Sequence, residues 1–292
     1  LNVAAVGSGA LGLTGCGLSV LTPQGPVGAA ENKILFDSVA IMLTIVVPTI
    51  VATLVFAWWF RAGNRRATRM PKWDYSGHLE LVVWAVPLLT VMFLGGLTWV
   101  ASHELDPAKP LPAQAGALEV QVVSLDWKWL FIYPAQGVAS VNALTVPAGQ
   151  PVHFTLTSSS VMNAFFVPQL GGMIYTMNGM STQISLQADR PGVYSGMSSH
   201  FSGDGFPGMH FNLTATTPQQ FAAWVAAARA GGRPLDPGSY AALAQQSANV
   251  APFTFGSVSP GLYQAVATQT IAQAPGPQVD GSKGRLSPKP ER

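Results

Sequence analysis

Hydrophobic and polar positions divide this chain into two regimes. From Val39 to Phe60, and again from Leu81 to Val100, the sequence is almost uninterruptedly apolar. Each run is about 20 residues long, the length a helix needs to cross a hydrocarbon core. Buried core helices seldom extend so far without a polar stripe, so the runs predict transmembrane helices over about 37–60 and 79–101. Pro48 and Pro87 do not break them, because neighbouring groups satisfy the carbonyls that a proline frees. From Leu118 onward the period falls to two. Leu118–Ser124, Val152–Ser158, Thr182–Ala188 and Met209–Thr216 alternate apolar and polar residues between Gly, Pro and Asn turns. Strands so spaced predict a β-sandwich or small barrel. The same parity turns His153 and His210 away from the apolar face, which favours exposed or partner-facing histidines over a metal site. His200, in a loop, is less constrained.

Charge then orients the helical pair. Arg61, Arg65, Arg66, Arg69 and Lys72 stand against a single Asp74 between the runs, which places the short loop 61–78 in the cytoplasm and both chain ends outside. Trp58, Trp59, Trp73, Tyr75 and Trp99 lie near the helix ends, where amphipathic rings favour the headgroup region. Only 10% of the residues are charged and the net charge is +2, which argues against nucleic-acid binding.

The flanking segments complete the plan. Residues 1–15 are apolar and rich in small side chains, and Leu13-Thr14-Gly15-Cys16 resembles the lipobox of bacterial lipoproteins. That resemblance implies a signal peptide cut before Cys16 and lipid on its sulfur and new amine, and no initiating Met precedes it. Residues 16–34 then form a periplasmic segment, 35–102 the transmembrane hairpin, 103–117 a Pro- and Ala-rich linker, and 118–216 the sandwich. Thr217-Pro218-Gln219-Gln220 has the form of a capping box, followed by Phe221, Trp224, Val225 and Ala228 on one helical face. An aromatic-rich arm continues to 270, with Tyr240, Phe253, Phe255 and Tyr263 packed either on their own domain or on a partner. Residues 271–292 read as a disordered tail. The expected fold class is therefore an α+β membrane protein with a two-helix hairpin, a β-sandwich and a short helical C-terminal arm.

Asn163-Ala164-Phe165-Phe166-Val167-Pro168, Leu170-Gly171-Gly172 and Gly192-Val193-Tyr194-Ser195-Gly196, with Asp126-Trp127-Lys128-Trp129 upstream, resemble the cupredoxin domain of subunit II of haem-copper terminal oxidases. With the hairpin, the resemblance spans Leu35 to Thr216. In the cytochrome c oxidase branch the domain holds copper through histidines, cysteines, a methionine and a carbonyl. On this chain those positions are Asn163, Ser198, Ser202 and Phe206, with Met209 alone retained. A carboxylate that helps hold magnesium in that branch falls at His200. Serine hydroxyls are hard donors and do not replace bridging thiolates, so no metal is expected here.

This pattern resembles the quinol oxidase branch, subunit II of cytochrome bo-type ubiquinol oxidases. The resemblance implies a non-catalytic subunit of a proton-pumping complex that oxidises ubiquinol and reduces oxygen to water. It implies no cofactor in this chain, haems and copper in a partner subunit I, contacts with further subunits and membrane lipid, and residence in the bacterial inner membrane. Glu80, beyond Tyr75 and His78, is the candidate for the mouth of a proton pathway, against the simpler reading of a carboxylate reaching the interface. Asp37 reads as a boundary residue in contact with water. Two alternatives stay open: a copper-binding cytochrome c oxidase subunit II, and a membrane-tethered cupredoxin-like binding or assembly protein.

Overall fold

The computed structural model describes residues 19–68, 70–112 and 116–276, and separates into two compact units, 30–106 and 1–29 with 107–292. Cys16, Arg69 and residues 277–292 lie outside the described residues.

The first unit holds the two helices. Helix α1 covers Pro26–Trp59 and α2 covers Gly77–Glu104. Helix α1 is 34 residues long, roughly 50 Å at 1.5 Å per residue, so it outruns a hydrocarbon core of about 30 Å. It begins well before the expected residue 37, because Pro26 fits the first helical position and nothing in Glu31, Asn32 and Lys33 stops propagation. Lys33 pairs with Asp37 at 2.9 Å, one turn on, so Asp37 is a salt-bridged surface residue. The apolar windows of both helices bury none of their residues. Their hydroxyls are satisfied locally: Thr49 donates to Ile45 O, Thr53 to Thr49 O, Thr90 to Val86 O and Thr98 to Leu94 O. Asn64 closes α1, its side-chain amide donating to Trp59 O at 2.6 Å, and Arg61 donates to Trp58 O.

The second unit is a β-sandwich. Its strands are β1 Leu118–Leu125, β2 Lys128–Tyr133, β3 Val138–Val141, β4 Ala143–Pro147, β5 Val152–Ser158, β6 Asn163–Phe166, β7 Ile174–Thr176, β8 Thr182–Leu186, β9 Gly192–Ser198, β10 His210–Thr216, β11 Arg233–Leu235 and β12 Phe253–Val258. Helices α3 Pro218–Gly231, α4 Pro237–Leu243 and α5 Leu262–Ala267 intervene. One sheet runs β11-β12-β3-β2-β1-β5-β8, the other β4-β10-β9-β6-β7. Aromatic rings bridge them: Phe165 stacks on Phe211 with centroids 5.3 Å apart, and Trp129 meets both edge-on at 5.7 Å.

The larger sheet is buried on both faces. Val122, Trp129 and Phe131 face the partner sheet, while Val123, Leu130 and Ile132 face a second cluster built from Tyr240, Phe255, Leu262, Tyr263 and Val266. Every residue of β2 is accordingly buried, and strict alternation gives way to a continuous apolar run. The aromatic arm thus packs on its own domain, and it contributes β11 and β12 to the sheet as well as helices. The capping box of α3 forms as the sequence suggests, with Val225 and Ala228 buried and Phe221 and Trp224 packed against Tyr133. The expected disordered tail does not begin at 271. Ala274 is buried and donates to Ser159 O at 2.9 Å, and Gly276 N donates to Asp126 Oδ2 at 2.9 Å. Two buried backbone bonds outweigh the low local hydropathy there.

Candidate functional site

The residues at the would-be ligand positions come from β6, β9 and the loop 199–209 that leads into β10. Pairing of Phe165 with Ser198 sets β6 against β9, which brings Asn163 within reach of Ser198. The Ser198 hydroxyl donates to Asn163 Oδ1 at 3.1 Å, and lies 3.1 Å from His200 O. Asn163 in turn donates from Nδ2 to Val161 O. Ser198 N bonds to Met209 O at 3.1 Å, which ties the end of β9 to the start of β10, and the Ser202 hydroxyl reaches Met209 Sδ at 4.0 Å. Asn163, Ser198, Ser202 and Met209 are all buried.

The rings of Phe206 and His200 stand apart from this knot, while their carbonyl oxygens accept from Met209 N and from the Ser198 hydroxyl. Phe206 pairs edge-on with Phe201 at 5.6 Å and opens a short 3₁₀ turn, Phe206–Gly208. The His200 ring faces Tyr175 edge-on at 5.8 Å. His153 Nδ1 lies 3.1 Å from Ser185 Oγ across β5 and β8, and His210 is exposed on β10. Among the described residues no group of three His, Cys, Asp or Glu side chains converges.

A soft metal centre does not fit this donor set. Its thioether and alcohol groups lack the thiolate and imidazole character that copper selects, and Asn163 and Ser198 are engaged with each other and with Val161 O and His200 O. What the arrangement does is close the corner of the sandwich with neutral hydrogen bonds.

Next to the knot is a feature that sequence reading grouped only with the aromatic cluster. Asp126 and Trp127 form the two-residue connection between β1 and β2, with Leu125 paired to Lys128. Trp127 has φ of 63°, and its indole N–H donates to Ser202 O at 2.9 Å. Lys128 is buried, and its ammonium donates to Gln245 O at 2.6 Å and Ser247 Oγ at 2.7 Å. Burial lowers its pKa to about 8, against the opposing pull of the Asp126 carboxylate. Asp126 followed by an aromatic between two apolar strands was the available turn signal. Glu80 lies in the first turn of α2, exposed, where a carboxylate also complements the helix dipole.

Two families match the chain: cytochrome C oxidase subunit II, periplasmic domain, over residues 119–215, and the COX aromatic rich motif over 229–271. The chain is 46% identical over 260 residues to the cytochrome bo(3) ubiquinol oxidase subunit 2 of Pseudomonas aeruginosa, covering 89% of this chain and 78% of that one. It is also 46% identical over 261 residues to the ubiquinol oxidase subunit 2 of Acetobacter aceti, covering 89% of this chain and 85% of the relative. Identity to the cytochrome bo(3) ubiquinol oxidase subunit 2 of Pseudomonas putida is 43% over 258 residues, 88% of this chain and 82% of that one.

Proposed function

The chain belongs to the ubiquinol oxidase subunit 2 family, and from that premise we propose that it is a non-catalytic subunit of a respiratory complex that oxidises ubiquinol and reduces oxygen to water. The observation that carries the reading is the Ser198–Asn163 hydrogen bond within a sandwich of the cytochrome c oxidase subunit II type. A relay from cytochrome c needs a redox metal at this corner. A corner closed by neutral hydrogen bonds suits a complex that draws electrons from a membrane quinol instead.

Haems and copper then belong to a partner subunit I, against which the hairpin docks. Exposure of the apolar side chains on both helices supports such a neighbour and a lipid surround, since these faces have no place in water. The loop 61–78 lies in the cytoplasm and the sandwich in the periplasm, an orientation supported by the basic residues of the loop. Glu80, at the loop end of α2, serves a proton pathway into the partner subunit. Cys16 carries lipid, which adds about 0.8 kcal/mol per buried methylene to membrane affinity.

Purification of the complex through this chain tests the proposal. The expected product contains haem and consumes oxygen with ubiquinol as donor, while reduced cytochrome c is inert. A product without haem, or one that oxidises cytochrome c, overturns it.

A further inference from the structure

Loop 199–209 joins β9 to β10 and carries Ser202, Phe206 and Met209. In a metal-binding sandwich the ion itself ties such a loop to the neighbouring strands, offsetting the entropy of closing it. Here the ligand positions hold neutral groups, and the loop includes Gly203, Gly205 and Gly208, which add backbone freedom. Something else has to hold it.

Among the contacts made by the described residues, the loop meets the β1–β2 turn and the C-terminal arm, beside the Ser199 Oγ to Met173 Sδ contact at 3.0 Å. The turn supplies Trp127, which bonds to Ser202 O and lies so close to Gly205 that a Cβ there would stand 2.2 Å from the indole ring. The arm supplies Asn249, whose side chain would stand 2.3 Å from a Cβ on Gly208. Asn249 belongs to the C-terminal arm, residues 244–276. Trp127 depends on the arm as well. Its φ of 63° is a conformation that a bulky residue adopts only where its surroundings impose it. Both flanking residues are anchored in the arm: Asp126 Oδ2 accepts from Gly276 N, and Lys128 donates to Gln245 O and Ser247 Oγ. Asp126 Oδ1 also accepts from Ser160 Oγ, and Gln246 donates to Gly276 O, which closes the arm on itself.

We propose that the C-terminal arm takes the place of a metal ion as the cross-link of loop 199–209, acting through Trp127 and Lys128 as positioning residues and through Asn249 directly. The order of dependence is fixed by the geometry. The arm holds the turn by bonds on either side of Trp127, the turn holds the loop by the indole, and the loop carries Phe201, which is 62% exposed. Lys128 suits this role because its ammonium, held 3.4 Å from Asp126 O of its own turn, donates to Gln245 O and Ser247 Oγ of the arm, so displacement of the arm breaks two of its bonds together.

Peptide-resolved hydrogen exchange on the purified oxidase complex tests the inference. Lys128→Met is expected to speed exchange in 199–209 and in 244–250 together, on the order of tenfold, as for loss of a buried hydrogen bond. Trp127→Phe keeps a ring and removes the N–H; it is expected to speed exchange in 199–209 and leave 244–250 as in the unaltered protein. In both variants β1, β5 and β8 keep their protection. If Lys128→Met opens the arm and leaves the loop protected, or if exchange rises equally in β1, β5 and β8, the arm is not the cross-link. If Lys128→Met fails to assemble, Trp127→Phe decides alone: undiminished protection of 199–209 refutes the proposal. Loss of quinol oxidation is not the readout, so these results stay distinct from the subunit assignment.

Discussion

The Ser198 hydroxyl donates to the Asn163 side-chain oxygen at 3.1 Å, joining two buried residues from adjacent strands. Each satisfies a polar group that the other would otherwise strand away from water. Ser198→Ala is therefore expected to lower the local opening free energy of β6 and β9 by about 1–3 kcal/mol, the cost of an unsatisfied buried group. Hydrogen exchange in peptides from 163–166 and 192–198 reads this directly.

Ser198 and Ser202 are expected to hold no copper. A Ser198→Ala, Ser202→Ala double variant is expected to retain the copper content of the unaltered complex, measured by elemental analysis against haem. Loss of copper from the variant would show that these positions do contribute ligands.

Close packing at the turn makes a steric prediction. Gly205→Ala forces the Trp127 ring or the loop backbone to move and is expected to cost about 1–3 kcal/mol, as overpacking does. Gly231→Ala is the control, at the end of α3 with nothing within 4 Å of the added carbon. It is expected to stabilise by about 0.4–1 kcal/mol through the unfolded chain. Thermal unfolding of the two variants side by side separates packing from backbone entropy.

Lys128 gives the sandwich a pH dependence of definite sign. Burial lowers its pKa in the folded protein to about 8 from 10.5, with Asp126 as the charged group that opposes the shift. Between those values the unfolded chain binds a proton that the folded one has released, so this residue's contribution to stability rises with pH across that window. Below about pH 8 the full cost of the buried ammonium is present. Denaturant unfolding from pH 7 to 10.5 should show the rise in the unaltered protein and its absence in Lys128→Met.

Glu80 is tested through turnover. In the complex, Glu80→Ala is expected to slow steady-state ubiquinol oxidation several-fold, and Glu80→Asp to restore most of the rate. Turnover in Glu80→Ala equal to that of the unaltered enzyme would return Glu80 to the role of a solvated residue favoured by the dipole of α2.

Much of this molecule is legible in its residues taken in order. The two apolar runs, the period-two strands, the capping box at Thr217 and the serines at Ser198 and Ser202 are local signals. Local signals survive in sequence because helix length, strand alternation and donor chemistry depend on near neighbours or on residue type alone. Helix α1 shows the limit: its apolar stretch marked the span, while its start at Pro26 depended on turns that hydropathy does not register.

What tertiary structure alone decided is which distant residues meet. Nothing in the order of the chain says that Lys128 is buried by Gln245 and Ser247, that Asn249 presses on Gly208, or that Ala274 is held by Ser159. The aromatic residues of the arm fit either their own sheet or a partner until β12 pairs with β3 and settles the choice. Those contacts join positions between 41 and 119 residues apart, and their energy comes from removing both partners from water at once. A sequence states the chemistry of each group; the fold determines which groups share a buried space.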